Sequence, residues 1–309
     1  MRRTLVVLPT YLEADNVEEV LRRLRAAVPG ADVLVIDDSS PDGTAEVAKA
    51  VGGELGRVEV WVRPEKAGLG SAYRDAFRQG VARGYEVLVE MDSDLSHDPA
   101  ALPALIAAID QGAALVIGSR YVPGGRIRNW SLYRRLLSRC GNRYAARLLR
   151  LDVADATSGF RAYDGATLGR LDLSAVRADG YGFQIEMAHR ISRLGGGVVE
   201  LPIHFVERHR GTSKMSLPVV IEAFVLVTRC GVAERMRSVA LAIGRTNLRA
   251  AFGRRVTAVG ADRLQCSGTG NVPLHLQERT HLYDELPLEK GRRRTARHRI
   301  LARRHRLRR

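Results

Sequence analysis

Lysine is nearly absent from this chain: 45 of its 49 basic residues are arginine, and only Lys49, Lys66, Lys214 and Lys290 are lysine. An arginine count therefore carries little functional weight by itself, because the bias runs through the whole sequence. Cysteine is scarce too. Cys140, Cys230 and Cys266 are odd in number and far apart, which excludes a C-x-x-C zinc site and a disulfide framework of the secreted kind. No run approaches the ~20 apolar residues of a membrane span. The best candidate, 217–233, is interrupted by Glu222 and Arg229. The opening Met1-Arg-Arg-Thr-Leu-Val-Val-Leu loses its apolar character at Pro9, and Glu13 soon follows, so it is too short for the core of a cleavable signal. A glycine-rich dinucleotide loop is also missing. The turn after the first strand reads Pro9-Thr-Tyr, and Ala67-Gly-Leu-Gly70 does not match G-x-G-x-x-G.

Charge is plentiful but unevenly placed. Of the net +15 over 309 residues, the segment 236–309 holds 18 basic against 5 acidic residues, and 1–235 holds 31 against 29. Past residue 236 periodicity fades and aromatics nearly vanish, which predicts a disordered basic tail over 237–309 behind a catalytic unit of 1–236. Such a tail raises the alternative of a nucleic-acid binder. Neutralisation of phosphates by arginine is unspecific and no nucleic-acid motif is present, so no specific nucleic acid is expected as a partner.

The most informative stretch is Val87-Leu-Val-Glu-Met-Asp-Ser-Asp-Leu-Ser-His-Asp-Pro99. An apolar strand ends in two carboxylates, Asp92 and Asp94, and a turn at Ser93 lets them converge on one cation. Mg²⁺ and Mn²⁺ are typically held by one or two carboxylates completed by substrate phosphates. Around this stretch strands and helices alternate, the pattern of a parallel α/β sheet. Thr4–Leu8, Val33–Ile36, Val58–Val62, Val87–Met91 and Leu115–Gly118 read as strands. They are apolar throughout, as when both sheet faces are covered. Val17, Val20, Leu21, Leu24 and Val28 form a helical stripe, with Asp15 or Asn16 as its cap. Further helices are predicted at 44–51, 71–83 and 99–110. Ligands of such sheets bind beyond the carboxyl ends of the strands, which gathers Pro9–Glu13, Asp37–Gly43, Asp92–Asp94 and Ser119-Arg120 on one rim. Beyond 125 the chain reads as mostly helical and arginine-rich, with one late strand over Val198–Val206 and an amphipathic helix over 217–235. Cys140 and Cys230 read as packing residues, and His97 as a loop residue rather than a base.

The clusters Leu8-Pro-Thr-Tyr-x-Glu, Asp37-Asp-Ser-Ser-Pro-Asp-Gly-Thr, Glu65-Lys-Ala-Gly-Leu-Gly-Ser-Ala-Tyr73, Met91-Asp-Ser-Asp-Leu-Ser-His-Asp-Pro, Gly118-Ser-Arg-Tyr, Ser158-Gly-Phe-Arg, Phe183-Gln-Ile-Glu, and Arg208 six residues before Lys214 stand in one order. Together they resemble the polyprenyl-phosphate mannosyltransferases (dolichol-phosphate mannose synthase and its bacterial polyprenol relatives) of glycosyltransferase family 2, over roughly residues 4–235. Ser93 stands where relatives often have alanine, and Glu207 where they have aspartate. The tail matches nothing in the family.

The resemblance implies a GT-A type α/β domain with a mixed, mainly parallel sheet. It implies inverting transfer of mannose from GDP-mannose to a polyprenyl phosphate, giving a lipid-linked sugar donor. Asp92 and Asp94 would hold Mg²⁺ or Mn²⁺ on the diphosphate. Pro9, Tyr11, Glu13, Ile36 and Asp38 would frame the nucleoside, together with Ser93; a structural role for Tyr11 fits the sequence as well. Arg120, Arg134 and Ser138 would meet the acceptor phosphate, and Arg120, Arg208 and Lys214, with Asp94, would act in the transfer and on the nucleotide-sugar. A phosphate monoester has a second pKa near ~6, so it is nucleophilic at neutral pH without a general base. The absence of an obvious base thus favours this acceptor over a sugar hydroxyl. A glucosyltransferase using UDP-glucose is the nearest alternative, although such relatives usually carry membrane spans. The expected location is cytoplasmic, at the inner membrane surface, docked through the 217–235 helix and the tail or held by an integral partner protein.

Overall fold

The computed structural model describes residues 2–207, 224–225, 227–232 and 235–236, all within one compact unit, Met1–Asn247. The elements run β1 (Thr4–Thr10), α1 (Ala14–Ala27), β2 (Asp32–Asp37), α2 (Thr44–Leu55), β3 (Val58–Val62), α3 (Leu69–Ala82), β4 (Val87–Glu90), α4 (Leu102–Asp110), β5 (Leu115–Ser119), β6 (Arg126–Arg128), α5 (Leu132–Leu149), β7 (Arg161–Asp164), α6 (Gly165–Gly169), α7 (Gly180–Arg193), β8 (Val198–Pro202) and β9 (His204–Val206). Seven strands form one sheet in the order β3-β2-β1-β4-β7-β5-β8. All neighbours are parallel except β7, which runs antiparallel between β4 and β5.

The central runs Leu5–Leu8, Val33–Ile36 and Val87–Val89 are apolar because both faces of the sheet are covered there. Leu5 and Val7 of β1 point to the side packed by Tyr73 and Phe77 of α3, Leu149 of α5 and Phe183 of α7. Val6 and Leu8 point to the side packed by Leu21 of α1, Ala48 of α2 and Ile106 of α4. This alternation is the two-residue period of a strand, and two covered faces explain why polar residues are excluded from it.

Several expectations need correction. The late strand does not run unbroken through Val198–Val206. Pro202 has no N–H for the ladder, Ile203 turns inward with its N–H on Ser119 O at 3.0 Å, and β9 leaves to pair with β6 in a separate two-stranded sheet. The region beyond 125 is less helical than its composition suggests, since β6 and β7 lie in it. Neither Asp15 nor Asn16 caps α1. Glu13 takes that position, Asn16 Nδ2 donates to Glu13 Oε2 at 2.8 Å, and Asp42 from the next loop accepts from Ala14 N at 3.2 Å. Cys140 is exposed rather than packed. Of the 217–235 helix, only 224–225, 227–232 and 235–236 are described, as helix. The 237–309 tail lies outside the described residues.

Candidate active site

The loops after β1, β2 and β4 meet at the carboxyl edge of the sheet and are fastened to one another by side chains. Asp37 is used up in this: it accepts from Thr10 Oγ1 at 3.0 Å, Ser40 N at 2.8 Å and Ser40 Oγ at 2.6 Å. Thr44 Oγ1 accepts from Glu13 N at 3.0 Å, and Ser93 Oγ donates to Pro9 O at 2.9 Å. Leu12, Ser39 and Leu95, one in each loop, sit at φ of 59°, 53° and 60°. Left-handed backbone at non-glycine residues costs of order 1–3 kcal/mol each and persists where the surroundings impose it, often beside a binding site.

These loops wall a cleft of about 300 Å³. Pro9, Tyr11, Glu13, Asp38, Asp92, Ser93, Asp94, Arg120 and Arg134 all line it, so most of the residues anticipated from sequence do converge. Ile36 does not: β2 continues to Asp37, which turns the fully buried Ile36 side chain into the core. Ser138 lies in an adjoining cavity. Arg208 and Lys214 fall outside the described residues.

Asp38 is held in a buried ion pair with Arg63 and also accepts from Gly68 N at 3.2 Å. Arg63 in turn donates to Ser71 Oγ and Gly68 O, both at 3.0 Å. The 63–70 loop is thereby tied to the cleft, with Lys66 Nζ 3.8 Å above the Tyr11 ring. Gly70 is required by close approach, since a Cβ there would lie 2.5 Å from Ala178 O.

In the β4 loop, Asp94 is buried and its Oδ1 accepts from Ser96 N at 3.0 Å, whereas the Asp92 side chain is 36% exposed. His97 lies in this loop, as expected, but is buried, stacked on Phe160 at 5.1 Å and edge-on to Phe205 at 5.4 Å. Burial, with Arg120 nearby, outweighs Asp94 and Asp155 and pushes the imidazole pKa down to about 4. Its Nδ1 stands 3.6 Å from Asp92 Oδ2. Ser96 Oγ and His97 Nδ1 are buried without hydrogen-bond partners. Among the described residues no group of three or more His, Cys, Asp or Glu makes a complete metal site. The donor set suits a hard cation that takes the rest of its ligands from a substrate.

The opposite wall is cationic and aromatic. Arg120 is clamped by the fully buried Asp155, Nε to Oδ2 at 2.7 Å and Nη2 to Oδ1 at 2.6 Å. Burial opposes both charges, yet the mutual attraction wins and lowers the Asp155 pKa while raising that of Arg120. Nη2 also reaches Thr157 Oγ1 at 2.9 Å. Arg134 pairs with Glu207 and lies 4.2 Å over Trp130, which meets Phe205 at 5.3 Å. At the base, Gln184 Nε2 donates to Glu90 Oε1 at 2.7 Å, leaving the buried Oε1 without a partner on the cleft wall. Asp155, Trp130, Phe205 and Gln184 were not assigned roles from sequence. The motif Phe183-Gln-Ile-Glu was the one available signal, for Gln184.

The adjoining cavity, about 330 Å³, shares Arg120, Trp130, Arg134, Thr157 and Tyr181 with the cleft. Beyond them its walls are mostly apolar: Leu137, Tyr144, Ala145, Ile185, Phe224 and Val227. Ser138 Oγ, on its wall, accepts from Tyr121 OH at 2.7 Å. Among the described residues no helix is long and apolar enough to cross a membrane.

Similarity to known proteins gives the class of this cleft and sheet, a glycosyltransferase. The family described as Glycosyl transferase family 2 matches residues 5–169. The chain is 49% identical over 242 residues to the undecaprenyl-phosphate mannosyltransferase of Micrococcus luteus, covering 78% of this chain and 99% of that protein. It is 47% identical to the polyprenol monophosphomannose synthase of Mycolicibacterium smegmatis, over 76% of this chain and 89% of that one. The glucosyl-3-phosphoglycerate synthase of Mycobacterium tuberculosis, solved with Mn²⁺, UDP and phosphoglyceric acid, shares the fold at a TM-score of 0.58 and 22% identity, over 74% of this chain and 78% of that one. The chain belongs to glycosyltransferase family 2.

Proposed function

We propose that the protein transfers mannose from GDP-mannose to a polyprenyl phosphate with inversion, giving polyprenyl-phosphate mannose. One observation carries this reading: the acidic cleft and the apolar cavity share the two arginines, Arg120 and Arg134. A sugar nucleotide fits on one side, a prenyl chain on the other, and the acceptor phosphate between them. The relatives named above are mannosyltransferases and synthases acting on such lipid phosphates, which supports the choice of acceptor and sugar.

Asp92 and Asp94 are the residues to hold Mg²⁺ or Mn²⁺, and the orphaned Ser96 Oγ and His97 Nδ1 beside them fit that assignment. Such a cation supplies charge compensation to the departing diphosphate. Pro9, Tyr11, Glu13 and Asp38 border the nucleoside. Asp38 reaches it already neutralised by Arg63, so it positions the loop as much as it binds. Arg120, fixed by Asp155, and Arg134 orient the acceptor phosphate; Ser138 Oγ can donate to it, since its bond from Tyr121 leaves its own proton available. A phosphate oxygen attacks C1 of mannose opposite the leaving group. The C1–O bond breaks, its electron pair departs with GDP, and no proton has to move. Gln184 Oε1 is an acceptor for a hydroxyl of the bound sugar. Arg208 and Lys214 complete the cationic set, and the enzyme works peripherally at a membrane surface where its lipid resides.

The test is transfer of radiolabel to a short-chain polyprenyl phosphate from GDP-mannose and from UDP-glucose in parallel. Label should reach the lipid from GDP-mannose. Preference for UDP-glucose, or transfer from neither donor, contradicts the reading.

A further inference from the structure

The last residue of β4 is a carboxylate in the core. Glu90 is fully buried, and Arg161 stands opposite it in the β4–β7 register. The three guanidinium nitrogens of Arg161, however, donate to the carbonyls of Ser158, Gln184 and Ala156. Glu90 accepts instead from two neutral groups, Tyr163 OH on Oε2 and Gln184 Nε2 on Oε1, both at 2.7 Å. Burial raises the Glu90 pKa; the charge of Arg161 is the first influence against that, followed by the two donors. Gln184 is also fixed at its backbone. Its main-chain oxygen accepts from Arg161 Nη1 at 2.6 Å, and the neighbouring Phe183 ring stacks on Tyr73 at 5.7 Å. Only the direction of the side-chain amide remains to be set, and its Oε1 is buried without a partner on the cleft wall.

The two ends of an amide are nearly the same shape and opposite in chemistry. One end offers the cleft a donor, the other an acceptor. An ionised carboxylate has acceptor oxygens and no proton to give, so an amide facing it has to present Nε2. A glutamine at position 90 could meet either end of Gln184, and a leucine would meet neither. We propose that Glu90 is a positioning residue for the transfer, fixing the polarity of the Gln184 amide so that the cleft presents an acceptor oxygen to one hydroxyl of the transferred sugar. This accounts for a carboxylate at a site where an apolar side chain would be less unfavourable to bury. The inference rests on the sugar-nucleotide reading of the cleft and deepens it. A sugar without that hydroxyl leaves Oε1 buried and unpaired, the kind of mismatch by which polar pockets discriminate most strongly.

Neutron diffraction from the deuterium-exchanged wild-type protein should place a Gln184 amide deuterium between Nε2 and Glu90 Oε1. An amide turned with Nε2 toward the cleft would overturn the proposal, whether or not any variant folds. Glu90→Gln keeps the shape and removes the constraint. It should lower kcat/KM for GDP-mannose about tenfold, the scale of one hydrogen bond, and leave the affinity for GDP with Mg²⁺, which brings no sugar, near wild type. One deoxymannose donor should show no loss with this variant, the same donor that is indifferent to Gln184→Leu. Glu90→Gln/Gln184→Leu should be no worse than Gln184→Leu, because both act through one contact. Losses that multiply in the double variant, a loss equal on every deoxy donor, or weakened GDP binding would make Glu90 a support for the fold and sink the proposal. If wild type takes no mannose from GDP-mannose while the deuterium lies on Glu90, the donor reading fails and the hold on the amide stands.

Discussion

The two walls of the cleft are built in opposite ways. The wall we assign to the donor is acidic: Pro9–Glu13, Asp37–Asp38 and Asp92–Asp94 follow the ends of adjacent parallel strands, and bonds such as Ser40 to Asp37 and Ser93 to Pro9 hold them. The wall we assign to the acceptor is basic and built on paired arginines. Arg120 needs Asp155, 35 positions away, and Arg134 needs Glu207, 73 positions away. A wall made of strand ends inherits its geometry from the sheet. A wall made of paired arginines exists only once the chain has closed around it, and its buried charges have to be neutralised for folding.

That contrast can be broken most forcefully on the donor side. Asp92→Asn or Asp94→Asn should each lower kcat by a factor on the order of 10²–10³ with the fold intact, the scale of losing one electrostatic stabiliser; steady-state rates with and without EDTA check this, and full turnover in chelator would remove the cation from the account. On the acceptor side the largest effect should be on stability. Asp155→Asn strands a buried guanidinium, which should cost about 3–5 kcal/mol in urea unfolding at neutral pH. The pH dependence has a definite sign. Burial would raise the Asp155 pKa, but Arg120 holds it below the ordinary value, so the carboxylate stabilises the fold above the unfolded pKa of about 4 and loses that contribution as pH falls through the lower folded value. The wild-type advantage over Asp155→Asn should therefore shrink only below pH ~4. A gap that closes already near neutrality would point to a different partner. The smallest effect should lie between the walls. Gln184→Leu should reduce kcat/KM for GDP-mannose about tenfold, the worth of one hydrogen bond, and the deficit should vanish for a deoxymannose donor lacking the matching hydroxyl. A deficit that persists across every deoxy donor would make Gln184 a support for Glu90 alone.

The same contrast explains what could be read before folding. Asp92, Ser93 and Asp94 were legible as a group because they are consecutive in sequence at a strand end. The parallel strands were legible because burial on both faces leaves apolar runs. β7 was hidden by Arg161, which is fully buried and spends its guanidinium on the carbonyls of Ser158, Gln184 and Ala156, all at 2.6 Å; no propensity marks such a residue as sheet. Trp130 and Phe205 meet only because β6 pairs with β9, and Gln184 meets Glu90 across 94 positions.

The division of labour between the walls is tested most directly by calorimetric binding of GDP with Mg²⁺, and separately of a short prenyl phosphate, to wild type, Asp94→Asn and Arg134→Gln. Asp94→Asn should lose nucleotide affinity about tenfold or more and keep the prenyl phosphate, while Arg134→Gln should do the reverse, consistent with loss of a charge-assisted contact to one ligand only. If both variants weaken the same ligand to the same extent, the two walls do not serve two substrates and the account is wrong.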